Sequence, residues 1–260
     1  MIFPVLALTC PSDILSRGER RIRNMNQKTI NQILGETEVG YDQMADKFSH
    51  TRKNFWGDLA FMADYIEDGD RILDFGCGNG RLLEILKDKK IEYSGVDISQ
   101  KLISLAKEKY PDYSESFAKI AGLASLAFPD NYFNRIISVA VFHHFPQKYA
   151  REMAKELFRI TKPGGTVVVT VWNLWQKKRR KNIFNFFAIL GKIFQSGAYR
   201  GYGLGDSLVP FQNNQGGVFK RYHRVYTKKS LTKVFFSAGF EVEKCFLAGG
   251  KNIVLIARKK

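Results

Sequence analysis

The residues best suited to chemistry are a glycine-rich run, DFGCGNG at 74–80, and a second acid, Asp97. Three glycines within five positions permit a tight turn and let a ligand approach the backbone closely. Asp74 is placed to hold an ammonium group, and Asp97 to accept hydrogen bonds from both hydroxyls of a ribose, as acids do in dinucleotide sites. We expect no cluster of arginines to face this run, which favours a cationic ligand over a pyrophosphate.

The elements around these residues are expected to alternate between strand and helix. Five apolar runs predict strands before residue 173, at 71–75, 92–97, 117–121, 135–141 and 166–172. Helices are expected at 28–38, 41–66, 82–89, 100–109 and 148–161, and a helix at 229–238 precedes strands at 241–247 and 252–257. Continuous apolar runs suit parallel strands that are buried on both faces. The sequence therefore predicts a doubly wound α/β domain with a mostly parallel sheet of seven strands.

A basic, aromatic-rich insertion follows the fifth strand, at 173–228. Residues 173–230 hold 12 Lys and Arg against one acid, in a chain whose formal net charge is +16. The residues expected to bind nucleic-acid phosphates are Lys177, Lys178, Arg179, Arg180, Lys181 and Arg200. Interspersed aromatic rings would stack on unpaired bases. Two alternatives are a solvated basic face over a small local core and an amphipathic helix at 183–194 on a membrane surface.

Composition and the N-terminus limit the other possibilities. Hydrophobic residues make up 45% of the 260 positions, which supports a packed core and excludes a disordered chain. Three scattered cysteines suit neither a disulfide framework nor a zinc site, so we expect no metal and a cytoplasmic location. Residues 1–26 are interpreted as a flexible leader or as the result of a start codon placed too early. A secretion signal is disfavoured because the basic residues follow the apolar stretch.

Together these motifs resemble the class I S-adenosylmethionine-dependent methyltransferases. The match covers about 70–260 and rests on LDFGCGNG at 73–80, Asp97, the fourth strand and the KPGG turn at 162–165. It implies a Rossmann-like fold with S-adenosylmethionine as cofactor. The cofactor-binding residues that it implies are Tyr41, Asp74, Gly76, Cys77, Gly78, Asn79, Gly80, Asp97, Leu123 and Val139. The acid that usually touches adenine falls near Gly122 here, so we expect the backbone of Leu123 and stacking to hold the base.

A narrower resemblance concerns the tRNA methyltransferases that esterify the carboxymethyl group on wobble uridine. It spans about 38–257, and its short motifs occur in order: Tyr41, FSHTR at 48–52, VFHHF at 141–145, Trp172, LVPF at 208–211 and RYH at 221–223. It implies a tRNA substrate and, as in eukaryotic relatives, a small zinc-containing activator subunit. One alternative is a quinone or lipid-linked sugar methyltransferase whose insertion forms a membrane-facing lid. Another is a non-catalytic RNA-binding module, which the intact glycine run disfavours.

The narrower resemblance implies that the methyl acceptor is a carboxylate, which is ionised at neutral pH and needs a cation instead of a base. Arg52 is the first candidate, because a guanidinium matches a carboxylate in a fork. His144 would add a hydrogen bond, and Arg221 and His223 would reach the same carboxylate or a nearby phosphate. The alternatives for Arg52 are a surface ion pair with Glu38 or Asp42 and a contact with the cofactor's own carboxylate. Trp172 is expected to be either a core residue or a wall on which the substrate stacks. The methyltransferase domain would comprise 27–172 and 229–260, with 173–228 as a substrate lid.

Overall fold

The computed structural model describes residues 25–52, 54–120, 126–174, 205–212 and 218–260. The α-helices in these residues are α1 (Gln27–Thr51), α2 (Gln100–Lys109), α3 (Gln147–Ile160) and α4 (Lys228–Phe236). The strands are β1 (Arg71–Phe75), β2 (Glu92–Asp97), β3 (Phe117–Lys119), β4 (Phe133–Val139), β5 (Thr161–Trp172), β6 (Asp206–Gln212), β7 (Val218–Arg224), β8 (Glu241–Ala248) and β9 (Asn252–Arg258). Short 3₁₀ helices lie at Gly57–Tyr65, Arg81–Ile85, Pro111–Ser116 and Phe142–His144.

The main sheet has the strand order β3-β2-β1-β4-β5-β9-β8, which confirms the predicted seven-stranded, doubly wound α/β fold. The first five strands in this order are parallel, while β9 runs antiparallel to both β5 and β8. Trp172 at the end of β5 pairs with Asn252 at the start of β9. The β8–β9 turn therefore lies at the same edge of the sheet as the carboxyl ends of the parallel strands.

The sheet is buried on both faces. Consecutive residues on β1, Ile72 and Leu73, are fully buried in different hydrophobic clusters, as the pleat of a strand requires. Leu73 packs in the cluster that contains Leu157 of α3, and Ile72 in the cluster that contains Leu59 and its 3₁₀ helix. Cover on both faces explains why these strands are continuously apolar.

Two expected helices differ from the observed ones at the N-terminal end of the domain. Instead of helices at 28–38 and 41–66, the structure has the single helix α1 and the 3₁₀ helix Gly57–Tyr65. The N-cap of α1, Asn26, accepts a 2.8 Å hydrogen bond from the Thr29 amide. Leu59 and Met62, three positions apart, are both fully buried, which suits the three-residue turn of a 3₁₀ helix.

The helix expected at 82–89 is also wrong. A short 3₁₀ helix, Arg81–Ile85, occupies that position, and its amides bond to carbonyls three residues back, such as Leu83 to Gly80. Burial of Leu82, Leu83 and Leu86 holds this tight geometry against the α-helical preference of the segment.

The described part of the insertion forms a two-stranded antiparallel hairpin, β6–β7. Buried Asp206 accepts hydrogen bonds from the Tyr222 hydroxyl at 2.6 Å and from Nη1 of Arg224 at 2.9 Å. Nη2 of Arg224 then donates to Gln147 on α3 at 3.1 Å. This network ties β7 to the main domain, so that strand is part of the packed structure.

Several predicted features lie outside the described residues: Lys177, Lys178, Arg179, Arg180, Lys181, Arg200, the proposed helix at 183–194, and Gly122 and Leu123. Met25 is buried in the core and Asn26 caps α1, so these two residues of the expected leader belong to the fold. In the described ranges, no helix is long and apolar enough to cross a membrane.

Candidate active site

A cavity lies at the carboxyl edge of the parallel strands, and one face of α1 covers it. Leu34, Thr37, Tyr41, Phe48 and Arg52 line this roof. The first four lie on α1 at spacings of three, four and seven residues, which is the period of one helix face, and Arg52 follows as the C-cap of the helix. The long N-terminal helix therefore closes the site from above.

The glycine-rich loop forms the floor of the cavity. Gly76 has a φ of +79°, and a Cβ there would collide with the Val141 side chain. Gly78 has a φ of +57°, and a Cβ there would lie 3.3 Å from the ring of Phe48. The left-handed backbone and the close neighbours both require glycine, and they leave the loop backbone open to a ligand.

Asp97 at the end of β2 is held beside the same loop. Its Oδ2 accepts a 2.9 Å hydrogen bond from the Gly78 amide, and its Oδ1 a 2.9 Å bond from the Ser99 amide. Burial raises the pKa of the carboxyl, while these backbone donors act in the opposite direction. Asp97 lines the cavity, next to apolar Ile98, Leu102 and Ile120, an arrangement suited to a ribose and an adenine.

Asp74 lies deeper than the sequence suggested. It is 2% exposed, it does not belong to the cavity wall, and its Oδ2 accepts a 2.8 Å hydrogen bond from the Tyr93 hydroxyl. Burial raises the pKa of Asp74 to about 7. A positive charge nearby would stabilise its ionised form. Asp74 can therefore attract an ammonium group electrostatically from behind the cavity wall, without direct contact.

The remaining loop residues divide into two kinds. Cys77 is buried, and burial raises its thiol pKa well above the usual value, so it acts as a small, unreactive residue. Asn79 is buried and ties the loop to the end of α1, because its Nδ2 donates to Ser49 Oγ at 3.1 Å and to the Arg52 carbonyl at 3.4 Å. Its buried Oδ1 has no hydrogen-bond partner among the described residues.

Arg81 is a cavity residue that the sequence reasoning missed. It is 7% exposed, its Cζ lies 3.9 Å from the centre of the Trp56 ring, and both side chains line the cavity. Burial lowers its pKa to about 10, so it remains charged at neutral pH. Its buried Nη1 has no partner within the described ranges. Its position directly after the last glycine of the loop is the sequence signal that could have identified it as a site residue.

The expectation that no arginine cluster faces the loop is wrong. Burial lowers the pKa of Arg52, and the charge of Arg221 lowers it further. The charge of Arg52 in turn lowers the pKa of Arg81. Arg52 and Arg81 line the cavity beside Gly76 and Gly78, and the charge of Arg52 acts on Arg81. Their like charges make this end of the cavity favourable for anions.

Arg52 does not form the surface ion pairs considered from the sequence. Glu38 pairs with Lys119 at 2.6 Å, and Asp42 accepts a 2.5 Å hydrogen bond from the Ser99 hydroxyl. The Arg52 guanidinium instead lies over the Phe48 ring, with 4.3 Å between its Cζ and the ring centre. It lines the cavity from this position.

His144 belongs to a directed chain of hydrogen bonds. Its Nδ1 lies 3.2 Å from the Tyr222 carbonyl oxygen, which can only accept, so Nδ1 carries the proton. Its Nε2 therefore accepts from the Tyr41 hydroxyl at 2.8 Å, and that hydroxyl accepts from Nη1 of Arg221 at 2.8 Å. Burial lowers the pKa of His144 to about 3. His144 is a neutral part of the cavity wall with both ring nitrogens engaged.

Arg221 and His223 lie behind the cavity wall. From the sequence, both were expected to contact the acceptor's carboxylate or a nearby phosphate. They are 2% and 0% exposed, and neither lines the cavity. Arg221 reaches the site through Tyr41, and the His223 ring packs 4.5 Å from His144 and 5.2 Å from Trp172. Trp172 does line the cavity, as does Val139.

His143, His144 and His223 have nitrogen atoms within 4.8 Å of one another, which is the spacing of a metal site. Both nitrogens of His144 are already hydrogen-bonded, and the charge of Arg221 acts on its ring. A divalent cation would have to break one of these bonds beside a guanidinium. The cluster therefore suits a hydrogen-bonded aromatic core, in which His143 stacks on Trp172 with 5.0 Å between ring centres.

A parallel sheet with this strand order, a glycine-rich loop after its first strand and an acid at the end of its second define a class I S-adenosylmethionine-dependent methyltransferase. The chain belongs to the family described as "Methyltransferase domain", which matches residues 48–244. Its cofactor is S-adenosylmethionine.

Known relatives and structures place the chain among enzymes with different substrates. It is 35% identical over 133 residues to the tRNA (carboxymethyluridine(34)-5-O)-methyltransferase of Arabidopsis thaliana, covering 51% of this chain and 31% of that protein. It is 37% identical over 157 residues to the 2-methyl-6-phytyl-1,4-hydroquinone methyltransferase of a Synechocystis strain, covering 59% and 46%. The chain thus spans less than half the length of either relative.

A solved structure extends the likeness in fold. A chain from the complex of the Haloferax volcanii Trm112 methyltransferase activator with a methyltransferase superposes with a TM-score of 0.55. The match is 16% identical and covers 85% of this chain and 96% of that one. At this identity the likeness concerns the fold alone.

The residues around the cavity fit S-adenosylmethionine. Arg81 lines the cavity, and its buried donor Nη1, which lacks a partner in the described residues, complements the carboxylate of an amino-acid group. The acceptor Asn79 Oδ1 also lacks a partner there and would complement the ammonium from behind the wall. Asp97 would hold the ribose hydroxyls, and Ile98 and Leu102 would flank the adenine. When bound, the cofactor supplies a methyl group on a positively charged sulfur.

Proposed function

We propose that this chain methylates a carboxylate, namely the carboxymethyl group of a modified wobble uridine in tRNA. The observation that carries the proposal is that Arg52 and Arg81 both line one cavity, while buried Arg221 lies behind its wall and its charge acts on Arg52. Charges that repel one another in a buried place are stabilised by anions that bind between them.

The number of arginines exceeds what the cofactor requires. S-adenosylmethionine brings one carboxylate, and Arg81 is positioned for it because it follows the glycine-rich loop and keeps a buried Nη1 without a partner among the described residues. Arg52 lines the cavity as well. We assign Arg52 to the acceptor's carboxylate, where the planar guanidinium gives two parallel hydrogen bonds.

Arg221, His144 and His223 would position the acceptor side of the site. Arg221 holds the Tyr41 hydroxyl at 2.8 Å, and that hydroxyl holds His144 at 2.8 Å. Tyr41 and His144 both line the cavity. Arg221 therefore acts on the acceptor through Tyr41 and through its own charge, and His223 supports the ring of His144.

The state of His144 favours a carboxylate over an acceptor that must lose a proton. A carboxylate with a pKa of roughly 4 is ionised at neutral pH and needs no base. His144 has its Nε2 occupied by Tyr41, and burial lowers its pKa to about 3. It is therefore too weak a base to help a hydroxyl acceptor.

A tRNA substrate is supported by two further points. The Arabidopsis relative is named for methyl transfer to carboxymethyluridine at position 34 of tRNA. The insertion at 173–228 holds most of the chain's excess positive charge, which suits a polyphosphate partner. We assign phosphate binding to Lys177, Lys178, Arg179, Arg180, Lys181 and Arg200, and we assign a lid role to the insertion as a whole.

The second candidate is a hydroquinone methyltransferase, favoured by the likeness to the Synechocystis enzyme. A phenolic hydroxyl has a pKa of roughly 10 and needs a base at neutral pH. The described cavity wall offers arginines and a neutral histidine with both nitrogens engaged. This chemistry favours the carboxylate acceptor and, with it, a cytoplasmic enzyme over one at a membrane surface.

A small activator subunit is the partner we propose besides tRNA. The fold is shared with a chain from a complex that contains the Trm112 methyltransferase activator. Co-purification from source cells tests this partner, and a protein that runs alone in active fractions would contradict it.

The test of the function is mass spectrometry of tRNA nucleosides from cells with and without this gene. Loss of the gene should remove the methyl ester of 5-carboxymethyluridine and leave the free acid in its place. An unchanged nucleoside profile with a change in the quinone pool would favour the second candidate.

A further inference from the structure

A second cavity adjoins the first at the same edge of the sheet. It is open, has a volume of about 570 Å³, and lies between the segment 50–58 and the β8–β9 turn. His50, Phe55 and Asp58 line it on one side, and Gly249 and Lys251 on the other. Nothing in the cofactor site described above uses this space.

The two cavities share a wall. Arg52 and Trp56 line both of them. The segment that carries these residues is fixed from two sides, because Asn79 of the glycine-rich loop donates to the Arg52 carbonyl at 3.4 Å and the Phe55 amide donates to Glu84 at 2.6 Å. A group in the second cavity is therefore separated from the first cavity by the side chains of Arg52 and Trp56.

The chemistry of the second cavity is cationic and aromatic. Arg52 and Lys251 stand against one acid, Asp58, and His50 and the rings of Phe55 and Trp56 complete the wall. Positive side chains beside aromatic faces are the combination that binds single-stranded nucleic acid, with phosphates on the cations and bases on the rings.

The basic insertion starts at this cavity. Asn173, its first residue, donates through its amide to the Lys251 carbonyl at 2.8 Å and through Nδ2 to the Gly250 carbonyl at 3.0 Å. The chain that carries most of the excess charge therefore leaves the domain beside Lys251. A polynucleotide bound at the start of the insertion would lie beside the second cavity.

We infer that the second cavity binds a nucleotide next to the one that is methylated, with its phosphate on Lys251 and His50 and its base against Phe55 and Trp56. This inference rests on the proposed function, since it takes the acceptor to be part of an RNA strand. It adds a subsite that reads the chain flanking the acceptor, and so selects a polynucleotide over a free nucleoside.

The test uses two variants that add an acid, Lys251→Glu and His50→Glu, with Lys244→Glu as control. Lys244 is an exposed lysine on β8, several residues from the turn, and its replacement changes the net charge as much as Lys251→Glu does and more than His50→Glu does, since histidine is counted as neutral. The probe is a fluorescent anticodon stem–loop RNA, measured by anisotropy, which does not depend on activity. Both variants should lose about tenfold or more in affinity, and the salt dependence of Lys251→Glu should fall by a log–log slope of about one. The control should bind as the unaltered protein does.

Two further measurements distinguish an effect on the second cavity from an effect on the cofactor and acceptor sites. S-adenosylmethionine affinity, measured by calorimetry, should be unchanged in all three variants, as should kcat/KM for 5-carboxymethyluridine nucleoside wherever the unaltered protein accepts it. Equal RNA affinity in Lys251→Glu, His50→Glu and the control overturns the inference, and so does loss of binding to anionic phospholipid vesicles with RNA binding intact. An unaltered protein that binds this RNA but methylates no carboxymethyluridine would overturn the proposed function and leave the subsite supported.

Discussion

The Tyr41 hydroxyl donates a 2.8 Å hydrogen bond to Nε2 of His144, while Nδ1 of the same ring donates to the Tyr222 carbonyl. Acceptance at Nε2 requires a neutral imidazole, and burial lowers the pKa of His144 to about 3. His144, which the sequence suggested as a hydrogen-bond partner for the acceptor, is thus a fixed, uncharged residue of the cavity wall. In the proposed function, recognition of the anionic acceptor falls to the arginines, of which Arg52 and Arg81 line the cavity.

Replacing His144 with Asn should remove a source of acid sensitivity. The pKa of His144 is about 3 in the folded protein and ~6.5 when unfolded, so between these values the unfolded chain binds more protons. The stability contributed by His144 is fully present above pH ~6.5 and is lost as the pH falls towards 3, by up to about 1.4 kcal/mol per unit. Denaturant titrations should show the destabilisation caused by His144→Asn shrinking from pH 7 to pH 5.

Asp74 changes the stability with pH in the opposite direction to His144, so its contribution must be removed from the comparison. Its pKa is raised to about 7 by burial, so its folded form holds an extra proton and stability falls as the pH rises from ~4 to 7. Taking the difference between the unaltered protein and His144→Asn at each pH removes this contribution. A difference that stays constant with pH would show that His144 is not a buried neutral group.

Arg81→Gln should weaken S-adenosylmethionine binding by roughly 1.5–3 kcal/mol, the cost of losing a hydrogen bond between charged groups. The variant removes the buried Nη1 that has no partner among the described residues. Calorimetry gives the affinity directly. The matched ligand is 5′-methylthioadenosine, which lacks the amino-acid group and should bind both proteins equally. Equal loss for both ligands would mean that Arg81 supports the cavity without touching the carboxylate.

Asp97→Ala should lower cofactor affinity by roughly 2–4 kcal/mol, because two ribose hydroxyls lose a charged acceptor. The variant also leaves the Gly78 and Ser99 amides without their present acceptor, so binding is measured well below its own Tm. Asp42→Ala is the control, since Asp42 also bonds to Ser99 but does not line the cavity. Unchanged affinity in Asp97→Ala, or equal loss in the control, would remove Asp97 from the ribose site.

Sequence reasoning was most successful where the signal is local. The strands after which the ligand-binding loop and Asp97 appear follow from short apolar runs, and the parallel arrangement follows from their alternation with helices. The backbone of the glycine-rich loop was also predictable, because the left-handed φ of Gly76 needs no knowledge of the rest of the chain. The helix boundaries around 57–65 and 81–85 were not, because burial of their leucines selects the tighter 3₁₀ turn.

The site itself depends on contacts between distant parts of the chain. Arg221 meets Tyr41 only because β7 packs on α1, and Arg81 meets Trp56 only because the segment after α1 turns back over the loop. The protonation of His144 depends on the position of one backbone carbonyl, that of Tyr222. None of these three relationships has a signature in residue type or spacing, although each decides what the cavity can bind.

Arg52→Ala should lower kcat/KM for the carboxylate substrate by a few kcal/mol, because a partly desolvated carboxylate would lose its charged partner. Arg52→Lys should restore part of this loss, since an ammonium lacks the planar fork. Steady-state kinetics with Arg71→Ala, a change outside the cavity wall, provides the control. Arg52 would instead belong to the cofactor if S-adenosylmethionine affinity collapsed while the carboxylate substrate still bound normally.

The most direct test of a carboxylate acceptor is the alkali lability of the product. The purified protein, with and without a Trm112-type activator, is incubated with tRNA that carries 5-carboxymethyluridine and with S-adenosylmethionine labelled in the methyl group. A methyl ester should form on the RNA, and mild alkali should release the label as methanol and restore 5-carboxymethyluridine. Label that enters the RNA but survives alkali, or that enters a hydroquinone and not the RNA, would contradict the account.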